Sequence, residues 1–144
     1  MKTKIAFIYP GQGSQTVGMG ESFLADDTSR NFFESADQAL DLKLSKLMLE
    51  GPQEELTLTY HAQPALLTVS SMITERLIRA GIRPDYTAGH SLGEYSVNSS
   101  CGPSSISLDN SRSSATSALS KKLRLVSSAK KLSPIPTVCD PCPG

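Results

Sequence analysis

The sequence predicts an α/β domain with an incomplete parallel sheet, followed by a tail of different composition. Two short apolar runs, at residues 4–9 and 86–88, have the length and the aromatic and β-branched content of strands. Helical patterns lie between them, and strands joined through helices pair in parallel. Parallel sheets are covered on both faces, so two good strands in 95 residues predict the front of a larger fold.

The first element is a strand over Lys4–Tyr9, which Pro10 ends. A loop with glycines at positions 11, 13, 18 and 20 follows it. Its start, PGQGSQ, is compatible with a backbone donor to an oxyanion, with a phosphate-binding loop or with a plain turn. It is not a Walker loop, because no lysine follows at the required place, and Thr16 stands where a dinucleotide fingerprint needs glycine.

The next segments predict two helices and a turn. Apolar residues at helical spacing indicate a helix over Ser29–Leu40, with Ser29 as its N-cap. A shorter helix is expected over Leu42–Leu49, where Gly51 and Pro52 end it. Gln53–Leu58 is expected to form a further turn.

The longest helix is expected over Gln63–Ala80. Pro64 suits its first turn, and Gly81 lies just past its end, where glycine is favoured. Its apolar residues recur every three or four positions, which predicts one buried stripe.

The second strand, Tyr86–Ala88, runs directly into a serine flanked by glycines. Residues 89–93, GHSLG, match the pattern G-x-S-x-G, which places a nucleophilic serine on a sharp turn between a strand and a helix. A Cβ at Gly89 or Gly93 would collide with this turn. The N–H of Leu92 would then face the substrate oxygen. The alternative is a glycine-rich turn with an incidental serine at Ser91.

The composition changes after Tyr95. Residues 1–95 hold all eight aromatic residues and carry a net charge of −4, whereas residues 96–144 hold 14 serines and carry a net charge of +4. A segment without aromatic residues has little apolar surface with which to offset its chain entropy. We therefore expect 96–144 to be mostly disordered, either as a natural serine-rich linker or because the reading frame is broken near position 96.

Charge and hydropathy exclude several classes of partner. The whole chain has 14 basic and 14 acidic residues, so no net charge draws it to nucleic acid or to an anionic membrane. No apolar run reaches the roughly 20 residues of a membrane span, and the apolar run at the start is too short for a secretory leader. Three cysteines do not make a closed disulfide set. A cytoplasmic protein is expected.

Three ordered segments resemble the malonyl-CoA:acyl carrier protein transacylases. They are PGQGSQTVGMG at 10–20, TYHAQPALLTVS at 59–70 and AGHSLGEYS at 88–96. The resemblance covers residues 1 to about 96 and implies the front of an α/β-hydrolase-like large subdomain, here truncated. It also implies a transfer in fatty acid synthesis, in which malonyl passes from coenzyme A to a serine and then to the phosphopantetheine thiol of acyl carrier protein.

The resemblance also assigns roles to residues. Ser91 matches the acylated nucleophile, and Gln12 and Leu92 match the two residues whose backbone N–H groups form the oxyanion hole. Gln63 matches a residue that lines the active site. Coenzyme A thioester is implied as substrate, and no metal site or cofactor is implied.

Two alternatives stay open beside this one. The family uses a histidine well downstream of the serine, whereas this chain has only His61 and His90. We expect His61 to be a partly exposed loop residue and His90 to point away from Ser91. The first alternative is therefore a truncated fragment without catalysis. The second is a serine esterase with the same turn, a function that does not explain why the GQGSQ and AQPA segments are present.

Overall fold

The computed structural model describes residues 3–90, 92–93 and 96 of the chain. In this part the elements run in the order strand, 3-10 turn, four helices, strand. The expected tail at 96–144 therefore lies, apart from Ser96, outside the described residues. The bounds are β1 (Ala6–Tyr9), a 3-10 turn (Glu21–Phe23), α1 (Asp27–Leu40), α2 (Leu44–Glu50), α3 (Gln53–Thr57), α4 (Thr59–Arg79) and β2 (Tyr86–Gly89).

The two strands form the parallel pair that the sequence predicts. Their register runs from Ala6 opposite Tyr86 to Tyr9 opposite Gly89. Asp85 fixes the start of the pair, because its carboxylate accepts the N–H of Ile5 at 2.9 Å. Since neither strand is shifted against the other, both end at the same edge of the sheet.

The sheet of the described residues is covered on one face only, as expected for the front of a larger fold. Phe7 and Tyr9 on one face of β1 are buried against the helices, whereas Ile8 on the other face is 79% exposed. Tyr86 on β2 is also exposed. Helix α4 packs on the face with Phe7 and Tyr9 through Leu77, so the side chains of β1 alternate between buried and exposed.

Helix α1 begins two residues before the predicted start. Its N-cap is Asp26, which has extended backbone and accepts the N–H of Ser29. The prediction of Ser29 as N-cap is therefore wrong. Both residue types are good caps, but Ser29 is fully buried and donates its own hydroxyl to Asp26 at 3.0 Å.

Helix α4 begins at Thr59, four residues before the predicted start at Gln63. Pro64 lies inside the helix and not at its first position. The N–H groups of His61 and Ala62 both donate to the carbonyl of Leu58, which starts the first turn before the proline. Proline removes one helical hydrogen bond, and here the close packing of the buried first half of α4 outweighs that loss.

The end of α4 follows the prediction. Gly81 has φ of +80°, the left-handed conformation that glycine adopts without penalty. The N–H of Gly81 donates to the carbonyl of Ile78, and the N–H of Ile82 donates to that of Leu77. This pair of bonds caps the last carbonyls and turns the chain toward β2.

The main core lies among the four helices. Leu44–Glu50 forms the expected second helix, and Gln53–Thr57 is a short helix where a turn is expected. None of the helices that the structure describes is long and apolar enough to cross a membrane. The buried cluster consists of Phe32, Phe33, Ala36, Leu44, Leu47, Met48, Leu56, Ala65, Leu66, Leu67, Met72 and Leu92.

Candidate active site

The carboxyl edge of the sheet brings together two of the segments that the sequence singles out. Because Tyr9 and Gly89 are paired, the loop that starts at Pro10 and the turn that starts at His90 leave the sheet side by side. Ligands of open parallel sheets bind outside this edge. The register of β1 and β2 thus places the two candidate motifs where such a site is expected.

Gly93 shows how closely the two segments approach. A Cβ built on Gly93 would lie 2.4 Å from the carbonyl oxygen of Tyr9 and 3.2 Å from that of Pro10. Both neighbours are backbone atoms, so no side-chain rotation can make room. The prediction that glycine is needed here is confirmed for Gly93, and the turn is packed directly on the start of the loop that carries Gln12.

The turn after β2 is closed by a hydrogen bond and fixed by one side chain. The N–H of Gly93 donates to the carbonyl of His90 at 2.9 Å. Leu92 is 3% exposed and belongs to the helical core, so its side chain points inward and holds its backbone at the sheet edge. Ser91, the expected nucleophile, lies outside the described residues.

Gln12 is connected to the start of α4. Its side-chain amide donates to the Thr59 hydroxyl at 3.1 Å, and Gln12 itself is exposed. Gln63 follows Thr59 by four residues on the same helix, so the two share a helix face. Gln63 is half-buried there. The first turn of α4 thus joins the loop of Gln12 to the helix of Gln63.

Two glutamines that the sequence did not single out hold the glycine-rich loop. Gln15 is buried and its Oε1 accepts the N–H of Gly13 at 2.8 Å. The amide of Gln53 accepts the N–H of Val17 at 2.9 Å. Gln15 lies inside the GQGSQ segment, so the sequence motif indicates that this residue belongs to the loop. Gln53 starts a short helix 36 residues beyond Val17, and no local pattern indicates that contact.

The two histidines of the chain, His61 and His90, differ in burial. His61 is 4% exposed, lies in α4 and has Nδ1 3.0 Å from the carbonyl oxygen of Glu55. The expectation of a partly exposed loop histidine is therefore wrong, because α4 starts before it. His90 is exposed. Within the part of the chain that the structure describes, no three His, Cys, Asp or Glu side chains are grouped so that they could hold a metal ion.

Comparison with known proteins gives a consistent family. The family model described as acyl transferase domain matches residues 6–118. The malonyl CoA-acyl carrier protein transacylase of Bacillus subtilis strain 168 is 55% identical over 96 residues, which are 66% of this chain and 30% of that protein. The chain therefore spans about a third of the length of the curated relatives it matches.

Solved structures agree with the sequence comparison. The acyl-carrier-protein S-malonyltransferase of Burkholderia pseudomallei 1710b is similar with a TM-score of 0.72 and 36% identity, over 87% of this chain and 37% of that one. A malonyl-transacylase in complex with a type II PKS acyl-carrier protein is similar with a TM-score of 0.66 and 34% identity, over 85% and 38% of the two chains. With its two motifs packed at one sheet edge and a family model matched over more than half of its length, the chain belongs to the acyl transferase domain family.

Proposed function

We propose that this chain carries the nucleophile and the oxyanion-binding segments of a malonyl CoA-acyl carrier protein transacylase. The observation that carries the proposal is the contact of Gly93 with the Tyr9 carbonyl, which packs the turn after β2 on the loop of Gln12. The names of the similar proteins support malonyl as the acyl group. Malonyl transfer from coenzyme A is a step of fatty acid synthesis.

Ser91 is the proposed nucleophile. Its hydroxyl attacks the thioester carbonyl of malonyl-CoA, a C–O bond forms, and negative charge gathers on the carbonyl oxygen. The backbone N–H groups of Gln12 and Leu92 are the proposed donors to that oxygen. Losing one such donor costs about 3–4 kcal/mol of barrier in comparable sites. The C–S bond then breaks, and coenzyme A leaves as the thiol with the proton that the serine lost.

The second half of the reaction uses a carrier protein. The phosphopantetheine thiol of acyl carrier protein attacks the malonyl-serine ester, and Ser91 recovers its proton when the ester bond breaks. The related transacylase solved in complex with its acyl-carrier protein supports this partner.

Gln63 is proposed to line the site. The exchange of one acyl ester for another needs no metal and no redox cofactor. A cytoplasmic location, where coenzyme A esters are made, completes the proposal.

The direct test is incubation with malonyl-CoA followed by peptide mass spectrometry. We expect one malonyl group on Ser91, and none on the Ser91→Ala variant. Ser22→Ala is the matched control, because Ser22 is an exposed serine in the 3-10 turn. It should carry the adduct as the unmodified chain does. Subsequent addition of acyl carrier protein bearing phosphopantetheine should remove the adduct and load the carrier.

Two other outcomes identify the alternatives. Folded protein without any adduct indicates an inactive fragment, an alternative that the position of His61 supports, because its Nδ1 already contacts the Glu55 carbonyl. An adduct that is lost to water as fast with carrier protein as without it indicates a serine esterase.

A further inference from the structure

We propose that Gln53 is a positioning residue for the loop that presents the Gln12 amide, an inference that rests on the proposed function. Gln53 is the first residue of α3. Its Oε1 accepts the N–H of Val17 at 2.9 Å, and its Nε2 donates to the carbonyl of Gln15 at 3.3 Å. One side-chain amide thus binds a backbone donor and a backbone acceptor of the loop, as a neighbouring strand would.

The amide of Gln53 is itself held in place. Its Nε2 also donates to the Thr57 hydroxyl at 3.2 Å, and that hydroxyl donates to the Gln53 carbonyl at 2.8 Å. Thr57 lies one helical turn further along, so α3 fixes the direction of the side chain. A glutamine fixed in this way loses less conformational entropy when it binds the loop.

The effect of Gln53 reaches Gln12 through the next turn of the loop. Gln15, whose carbonyl Gln53 binds, uses its own side chain to accept the N–H of Gly13 at 2.8 Å. Gly13 has φ of +109°, a backbone conformation that this hydrogen bond helps to hold. Gly13 directly follows Gln12, so the chain of contacts from α3 ends beside the proposed oxyanion donor.

The loop is also bound independently of Gln53. The N–H of Gly18 donates to the Met48 carbonyl of α2 at 2.8 Å. Gln53 itself is exposed, and one exposed hydrogen-bonded amide contributes little to the free energy of folding. Replacing Gln53 should therefore leave the fold intact and alter the position of the loop. This difference separates a positioning role from a structural one.

The test compares three variants. Gln53→Ala removes both contacts with the loop, and Gln53→Glu keeps an acceptor for Val17 but loses the donor to Gln15. Glu54→Gln is the matched control, an exposed neighbour on the same short helix. Each variant is measured by thermal unfolding, by hydrogen exchange of the Val17 amide, and by the rate of Ser91 malonylation against malonyl-CoA concentration.

We expect Gln53→Ala to exchange the Val17 amide about two- to tenfold faster, the effect of one hydrogen bond. Its maximal malonylation rate should fall about tenfold or more, because misplacement of a transition-state donor acts on the rate. The malonyl-CoA concentration for half-maximal rate should stay unchanged, and the melting temperature should fall by only a few degrees. Gln53→Glu should lie between Gln53→Ala and the unmodified chain, and Glu54→Gln should match the latter.

The two proposals fail separately in this experiment. If the unmodified chain is malonylated and Gln53→Ala is malonylated at the same rate, the role of Gln53 is overturned and the function stands. If Val17 exchange does not change, the contact itself is overturned. If the unmodified chain takes no malonyl group, the function fails, and the catalytic role of Gln53 fails with it even where faster Val17 exchange confirms the contact.

Discussion

Single residues decide the geometry of the candidate site, and Gly93 is the clearest case. The pattern G-x-S-x-G predicts a glycine there, because the serine turn leaves no space for a Cβ. The obstacle is the backbone of β1, since the Tyr9 carbonyl lies 2.4 Å from the Cβ position. Gln53, in contrast, could not be predicted from a local pattern, because its contact with Val17 joins residues 36 positions apart.

Gly93→Ala should destabilise the protein by about 1–3 kcal/mol, the usual cost of forcing an atom into a packed site. The comparison variant is Gly81→Ala, where nothing lies within 4 Å of the Cβ position and only the positive φ resists substitution. That strain costs roughly 1–2 kcal/mol. Urea unfolding measures both, and only Gly93→Ala should also reduce malonylation of Ser91. Unchanged stability and reactivity of Gly93→Ala would show that the turn does not pack on β1.

Asp26 makes the N-terminus of α1 sensitive to acid. Slight desolvation of this exposed carboxyl acts to raise the pKa of Asp26, but hydrogen bonds from Ser29 and Thr28, with the Arg79 guanidinium nearby, bring the net pKa below 3.8. The ionised carboxylate is therefore the form that the folded state prefers. Its contribution to stability is present above pH 3.8 and disappears as the pH falls through the lower folded-state pKa.

Asp26→Ala should lose about 1 kcal/mol at neutral pH, the usual cost of removing an N-cap. Asp26→Asn keeps a good capping group without the charge, so it should retain most of the stability at neutral pH. The advantage of the unmodified chain over Asp26→Asn should vanish on acidification below pH 3.8. Denaturant unfolding across this range measures the difference, and a difference that does not depend on pH would contradict the role of the charge.

At the scale of elements, the sequence predicts which segments form helices and strands better than it predicts where they begin. Proline at the first helical position is a good general rule, but α4 starts at Thr59, five residues before Pro64. Tertiary packing decides that start, because His61 and Ala62 are buried in the first turns. The end at Gly81 is predictable, since it depends on the conformation of one residue.

Strand β1 has one buried and one exposed face, and substitutions on the two faces should differ. Phe7→Ala should destabilise the protein by roughly 3 kcal/mol or more, because Phe7 is buried against Leu77. Ile8→Ala should cost less than about 0.5 kcal/mol, because Ile8 is 79% exposed. Ile8→Ala should also reduce self-association, measured by light scattering, because it removes apolar area from the exposed face of the sheet. Equal costs in urea unfolding would show that both faces are covered in solution.

At the scale of the whole molecule, the sequence predicts a fold that continues beyond what the described residues contain. Two paired strands and helices on one face leave apolar side chains of the sheet exposed, among them Ile8 and Tyr86. The chain covers about a third of the length of its curated relatives. The family therefore explains the open face, whereas composition and periodicity indicate only that two strands are too few.

We propose that the change of composition after Tyr95 marks a break in the reading frame. The match to the Bacillus subtilis relative is 96 residues long, about the length of the part before the change of composition. The family model continues to residue 118, beyond that change. The nucleotide sequence tests the proposal. A shift of one base near codon 96 should restore a helix, an arginine and a later histidine of the family type. A continuation without these features in either shifted frame would indicate a natural serine-rich tail.

The central geometry can be measured in a crystal structure that resolves position 91. We expect the backbone nitrogens of Gln12 and Leu92 to lie within about 3 Å of one common point beside the Ser91 hydroxyl, as an oxyanion hole requires. A Ser91 oxygen enclosed in the helical core, or a Gln12 nitrogen directed away from that point, would contradict the assignment of this edge as the site of acyl transfer.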